Sequence, residues 1–262
     1  MAFSKSIALQ RKSFPAKREP LVCTPLVGAT EDAIAQELAA ILPKRPDVLE
    51  WRVDFFSGIT DSNRVVAQGQ AIQRQAGDIP IILTRRSTRE GGHPIPLDEA
   101  QVFDLYAAVC GAGCVDLFDY ELSVEPRFFQ RAVALAKDSG CRLIASYHNF
   151  QETPDAAALV AKFAAMERAG ADVAKIAVMP KEPRDVLTLL DATLTAHQTL
   201  KLPIISMSMG AYGSLSRLFG WMFGSSVSFA VGEKSSAPGQ IPIEHLHTVV
   251  AVLQQALKGE GA

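Results

Sequence analysis

From about residue 20 onward, the chain alternates between two patterns of apolar residues. Short apolar runs recur at Leu21–Val27, Val48–Val53, Ile79–Thr84, Val115–Phe118, Arg142–Tyr147, Val173–Val178, Pro203–Met207 and Val227–Val231. Their length and their flanking Gly and Pro residues predict buried strands. Between them lie longer segments whose apolar residues follow helical spacing: Thr30–Leu42, Asp61–Gln75, Leu97–Val109, Arg127–Ser139, Pro154–Arg168, Arg184–His197, Leu215–Phe223 and Ile243–Leu257. These predict amphipathic helices. Thr30-Glu-Asp, Asp61-Ser and Thr153-Pro154 read as N-terminal caps, and Gly140 and Gly170 as C-terminal stops.

Eight strands, each followed by a helix and with no long linker, predict an α/β chain of the (β/α)8 barrel type, one domain over residues 1–262. The alternative is an open doubly wound sheet. It loses ground because no G-x-G-x-x-G turn follows the first strand. The segment before Leu21 is surplus to eight units. Ile7-Ala-Leu9 and Leu21-Val-Cys23 flank a Pro- and Lys-rich turn region, which predicts an N-terminal hairpin or tail over residues 1–20 that closes the bottom of the barrel. This stretch is basic, contains Ser and has no acidic residue before Glu19, so a transit peptide is the competing reading.

Composition narrows the class further. The chain has 262 residues, 48% of them hydrophobic and 21% charged, which is ordinary for a soluble globular protein. A net charge of −2 gives no footprint for nucleic acid or a membrane surface, so an anionic ligand must be held by locally placed arginines. No apolar stretch has transmembrane length, and no signal-peptide core stands near the N-terminus. Cys23, Cys110, Cys114 and Cys141 form no CxxC pair and have no histidine at zinc-ligand spacing. They read as buried free thiols in a reducing cytoplasm. No metal and no cofactor is expected.

The candidate chemistry lies where a barrel keeps it, at the C-terminal ends of strands and in the loops beyond. Lys175 sits inside Ala171-Asp-Val-Ala-Lys-Ile-Ala-Val-Met179, an otherwise apolar run. Burial disfavours the ammonium form and frees the amine to attack a carbonyl. A strand lysine taken alone more often snorkels to water, so the other strand ends must decide. Strand two ends in Glu50-Trp-Arg52-Val-Asp54, whose alternation puts the three charged residues on one face. Such a set suits a polar pocket, a self-satisfied ion-pair network, or both. Strand three runs into Arg85-Arg86-Ser-Thr-Arg89-Glu90-Gly91-Gly92, a loop whose arginines could bind carboxylate or phosphate, although Arg85 and Arg89 read as solvated. Strand five ends in Ser146-Tyr-His148-Asn-Phe150. His148 is a candidate acid/base group, with Glu90 as the carboxylate that could orient it, though structural histidines are as common at such places. Later come Ser206-Met207-Ser-Met209-Gly210, Ser216-Arg217-Leu218 and Ser236-Ala-Pro-Gly-Gln240. Here the methionines could line an apolar wall, and Ser236 and Gln240 could donate hydrogen bonds.

Taken in order, these seven motifs resemble type I 3-dehydroquinate dehydratase, from about Leu21 to the C-terminus. The resemblance implies a (β/α)8 barrel, no metal and a cytoplasmic homodimer in the shikimate pathway that eliminates water from 3-dehydroquinate to give 3-dehydroshikimate. It implies that Lys175 forms a Schiff base, that His148 is the general acid/base, that Glu90 holds His148 and that Arg217 binds the substrate carboxylate. Glu50, Arg52, Arg86, Ser236 and Gln240 match further substrate contacts, and Met207 and Phe229 match apolar pocket positions. Asn149 and Arg85 stand at positions that vary in the family. Pro25 replaces a small polar residue found in some members, which puts one minor contact in question. Two other classes share parts of this pattern. A class I aldolase would have the barrel and the lysine, often with a glycine-rich phosphate site after strands seven and eight. A non-catalytic binding protein would be expected to lack the lysine or the histidine.

Overall fold

The computed structural model of the chain describes residues 5–9 and 19–259. Among these, eight parallel strands alternate with helices: β1 (Leu21–Leu26), α1 (Glu31–Ile41), β2 (Val48–Arg52), α2 (Ser62–Ala76), β3 (Ile81–Thr84), α3 (Glu99–Gly111), β4 (Leu117–Glu121), α4 (Pro126–Ser139), β5 (Arg142–Asn149), α5 (Ala156–Arg168), β6 (Val173–Val178), α6 (Pro183–Thr199), β7 (Ile204–Ser208), α7 (Ser214–Phe219) and β8 (Val227–Val231). A two-residue strand, β9 (Ile241–Pro242), precedes α8 (Ile243–Gly259) and pairs with β8. It was too short for its pattern to reveal.

The strands pair in chain order from β1 to β7, and β8 pairs with β1. The remaining seam, β7 to β8, closes through a bridge between Ile204 and Ser225. There the Ser226 N–H donates to Ile204 O at 2.7 Å, and the Ser206 N–H donates to Ser225 Oγ at 3.0 Å. The result is a (β/α)8 barrel, as the alternation predicted.

Side-chain alternation divides the strands between two cores. Leu49, Trp51, Leu83, Phe118, Leu143 and Ile176 face outward and pack against the helices. The inward residues lie in layers. The lowest is wholly apolar: Leu21, Val48, Ile82, Leu117, Ile144, Val173, Ile205 and Val227, with Ile7 closing it from below. Burying this ring holds the strand ends together without polar groups to satisfy. It also fixes the floor on which the charged layers stand. The expected hairpin over residues 1–20 is borne out only in that Ile7 and Leu9 are buried beneath the barrel. Its turn lies outside the described residues.

The caps follow the chemistry of the sequence, with one exception. Thr30 accepts the Ala33 N–H, and Asp61 accepts those of Asn63 and Arg64. At α5 the cap is Asp155, which accepts the Ala158 N–H at 2.7 Å. Thr153 was expected there, but a carboxylate next to the first turn is the better acceptor. Gly140 and Gly170 end their helices at φ of 75° and 94°, a region that suits glycine. The fourth strand runs Leu117–Glu121, not Val115–Phe118, because its polar residues Asp119 and Glu121 point into the barrel.

Candidate active site

Above the apolar floor, the inward side chains turn polar. Ser146 and Lys175 are register partners on β5 and β6, and His148 stands two residues beyond, beside Ala177. Lys175 is only 3% exposed, so it does not snorkel to water. Nor does it lie bare in an apolar wall, as its sequence neighbours suggested. Its Nζ lies 3.0 Å from Asp119 Oδ2, 3.2 Å from Glu50 Oε1 and 4.5 Å from the centre of the Phe229 ring.

Asp119 is the hub of this layer. Its Oδ1 pairs with Arg86 at 2.7 Å and accepts the Ser146 hydroxyl at 2.6 Å. Burial favours the neutral acid, but Arg86 and then Lys175 hold Asp119 below the usual carboxylate range. Arg86 also reaches Ser146 Oγ at 2.8 Å and Glu121 at 3.3 Å, and Glu121 accepts the Ser87 N–H at 2.7 Å. Burial alone would weaken the Arg86 guanidinium, yet Asp119, Glu121 and Glu90 raise its affinity for the proton. Glu50 is steadied by the Thr84 hydroxyl at 3.0 Å.

His148 is held by Glu90. Both His148 Nδ1 and the His148 backbone N–H lie 3.0 Å from Glu90 Oε2, and Ser123 donates to Glu90 Oε1 at 2.7 Å. Burial, then Arg86 and Lys175, push His148 well below its ordinary 6.5, so its ring is neutral near pH 7. Burial, then Glu121, raise Glu90 to about 7. Near neutrality the pair therefore takes up or gives up a single proton at Nε2, while a second shifts between Nδ1 and Glu90. With Glu90 ionised, Nδ1–H donates and Nε2 is a free base. With Glu90 protonated, the carboxyl donates to Nδ1 and Nε2 carries the proton. One pair can thus serve as base and as acid.

Arg217 differs from the other cations. It is 2% exposed and, among the described residues, bonds only to neutral acceptors: Phe229 O at 3.3 Å, Pro238 O at 3.2 Å and Met207 Sδ at 3.7 Å. Its Nε has no partner. Among the described residues no carboxylate pairs with it, and burial draws it down to about 10. A buried, uncompensated guanidinium is a site waiting for an anion. Arg52, by contrast, is taken by Asp54 in a two-point contact at 2.7 and 2.8 Å. Asp54 lies in a 3-10 turn past the end of β2, so strand alternation does not place it; the ion pair does.

Glu50, Arg52, Arg86, Glu90, His148, Lys175, Met207, Arg217, Phe229, Ser236 and Gln240 all line one cleft of about 470 Å³ at the C-terminal mouth of the barrel. Every candidate from the sequence is therefore brought together. Asp119, Glu121 and the role of Ser146 were missed. The signal was present, since Leu117, Asp119 and Glu121 alternate with Phe118 and Tyr120. Arg85 is a further correction. It is not solvated but pairs with Glu99 beneath the loop, and its N–H donates to the Tyr106 hydroxyl at 2.6 Å. Arg89 is exposed, as expected. All four cysteines are buried and outside any disulfide. Among the described residues no group of three or more His, Cys, Asp or Glu could hold a metal ion, and no helix is long and apolar enough to cross a membrane.

Comparison with known proteins agrees with this geometry. The family model of type I 3-dehydroquinase matches residues 22–256. A 3-dehydroquinate dehydratase from Aromatoleum aromaticum is 58% identical over 99% of this chain and 100% of its own length. One from Albidiferax ferrireducens is 52% identical over 100% of this chain and 98% of its own length. The crystal structure of 3-dehydroquinate dehydratase from Geobacillus kaustophilus superimposes with a TM-score of 0.94 at 46% identity, covering 97% of this chain and 99% of that one. A buried lysine, a carboxylate-held histidine and an unpaired arginine in one barrel mouth thus accompany full-length similarity, and the chain belongs to the type I 3-dehydroquinase family.

Proposed function

We propose that this chain is a 3-dehydroquinate dehydratase, a hydro-lyase that converts 3-dehydroquinate to 3-dehydroshikimate through a Schiff base on Lys175. The observation that carries the reading is the juxtaposition of two features in one cleft. One is a buried amine beside a carboxylate-held imidazole; the other is an arginine with no anionic partner among the described residues.

The free amine of Lys175 adds to the substrate ketone carbon, and the carbinolamine loses one water to give a protonated imine. The amine is the attacking form, so a proton must first leave Nζ; Glu50, 3.2 Å away, is the acceptor in contact with it, because Asp119 is held ionised by Arg86 and Lys175. The iminium withdraws electrons and acidifies the adjacent C–H. His148 Nε2 takes that proton, and an enamine forms. The enamine electrons then expel the β-hydroxyl, which leaves as water with the proton His148 had taken. Hydrolysis consumes one water, releases the product and restores Lys175. The net change is the loss of a single water. Arg217 receives the substrate carboxylate. Glu50, Arg52, Arg86, Ser236 and Gln240 contact its polar groups, and Met207 and Phe229 bound its ring. Acid/base catalysis of this kind contributes on the order of 10²- to 10⁴-fold. The family further implies a homodimer in the cytoplasm, and four buried cysteines outside any disulfide suit a reducing compartment.

Borohydride reduction in the presence of 3-dehydroquinate, followed by peptide mass spectrometry, tests the assignment. The expected adduct is on Lys175, and an adduct elsewhere, or none, would falsify it. In His148→Ala the adduct is expected to survive while turnover collapses. Turnover at the wild-type rate would remove His148 from the acid/base role.

A further inference from the structure

The loop from Gly232 to Gln240, between β8 and β9, carries Ser236 and Gln240 into the cleft. It has its own scaffold: Gln240 Oε1 accepts the Ser236 N–H and the Ser235 hydroxyl, each at 3.0 Å. Its base is held by Lys44, which donates to Gly232 O at 2.6 Å, and Arg52 lies 3.5 Å from Ser236 O; the contact that reaches Arg217 is made at Pro238. Pro238 O accepts the Gly210 N–H at 3.2 Å and Arg217 at 3.2 Å. The next residue, Gly239, lies directly on the Gly210 backbone. A Cβ on Gly239 would stand 2.1 Å from Gly210 O, 2.8 Å from its carbonyl carbon and 3.0 Å from its nitrogen. Its φ of 77° is also in the left-handed region. Backbone atoms cannot yield as a flexible side chain can, so any side chain here must lift the loop.

Lifting the loop would act on Arg217. Without Pro238 O, only Phe229 O and Met207 Sδ would remain to aim its guanidinium. We propose that Gly239 is a positioning residue: its bare backbone, seated on Gly210, sets the height of the 232–240 loop and so the aim of Arg217 at the substrate carboxylate. This rests on the dehydratase reading for its substrate, but the seating of the loop can be measured without turnover.

The test combines steady-state kinetics on 3-dehydroquinate with amide exchange at Gly210, whose N–H reports whether Pro238 is docked. Gly239→Ala is expected to raise KM by about ten- to a hundredfold, the scale of a small misplacement of a binding group. It should also abolish protection of the Gly210 amide, while the Lys175 adduct still forms at saturating substrate. Gly239→Asn tolerates the left-handed backbone but carries the same Cβ, and should behave alike. Gly77→Ala is the control. Gly77 has φ of 60° with nothing within 4 Å of its would-be Cβ, so it carries backbone strain without the clash, and KM should not change. The proposal is overturned by a wild-type KM in either Gly239 variant, or by a raised KM with Gly210 still protected. Exchange in the wild-type chain needs no variant to fold, and an unprotected Gly210 amide there overturns it as well. An inactive wild-type chain with the Gly210 effect intact would instead count against the substrate reading.

Discussion

At Lys175 the conflict between burial and charge is resolved by its neighbours. A bare buried ammonium would be costly, but Asp119 and Glu50 flank it within 3.2 Å. Asp119 binds Lys175 with one oxygen and Arg86 with the other, so it fixes the distance between the nucleophile and the arginine beside it. Asp119→Asn keeps the shape and removes the charge. It leaves Arg86 and Lys175 short of a buried partner, and breaking such a pair costs about 3–5 kcal/mol. A loss near the lower end is expected in urea unfolding, since Asn retains one acceptor oxygen. Turnover should fall by about a hundredfold, through misplacement of Nζ. Wild-type stability together with wild-type turnover would refute the hub role. Sequence reasoning found Lys175 as a charge inside an apolar run and His148 as a strand-end histidine with Glu90 as its carboxylate, and it reached the role of Arg217 through the family resemblance. It missed Asp119 because a carboxylate immediately after an apolar run reads as the start of a loop until the opposite face of that strand is known to be buried.

At the scale of elements, a bond pattern recurs at the bottoms of the even strands. Asp47, Asp116 and Asp172 stand just before β2, β4 and β6. Each donates its N–H to the preceding strand, at Val22 O, Ile81 O and Leu143 O, and each accepts the N–H of the same residue at 2.9 Å. Three of the four strand pairs are clamped in this way, which fixes register where the apolar ring gives no directional force. The fourth pair has Ser226 in that place, and its hydroxyl oxygen has no partner. Asp116→Ala strands the Ile81 N–H in a buried position, which costs about 1–3 kcal/mol. Asp116→Asn should recover most of that. Activity per folded molecule is expected to be unchanged in both, because the clamp lies at the end of the barrel opposite the cleft. A clamp variant with wild-type urea midpoint would show that water replaces the bond without loss. The strand and helix assignments themselves were legible, since apolar spacing marked a strand and a helix in each unit, although the fourth strand and the α5 cap had to be moved. The clamps were not, because an aspartate before a strand looks like any other turn residue.

The whole molecule must keep a charged layer inside a closed barrel, and it does so by stacking that layer on an apolar floor. The number of units made the barrel legible in the sequence, but its closing seam was not, because the β7–β8 join relies on serine hydroxyls and a single bridge. Folding stability therefore includes the protonation of this interior, and Glu90 and His148 contribute with opposite signs. Glu90 is raised from an ordinary 4.5 to about 7, so the folded chain holds its proton more tightly than the unfolded chain. That share of stability is complete below pH 4.5 and is lost as pH rises through 7, a change of as much as ~3 kcal/mol. His148 is depressed, so its share is present above pH 6.5 and is lost as pH falls. Glu90→Gln isolates the first effect, because glutamine mimics the uncharged carboxyl at every pH. At pH 4 the difference between variant and wild type records packing and hydrogen bonding alone. From pH 4 to pH 9 the variant should gain on the wild type by up to ~3 kcal/mol in urea unfolding, while its turnover falls because His148 loses the carboxylate that stabilises its protonated form. Stability curves that stay parallel across that range would mean that Glu90 ionises in the folded chain as readily as in the unfolded one, and the shared-proton description of the Glu90–His148 pair would have to be abandoned.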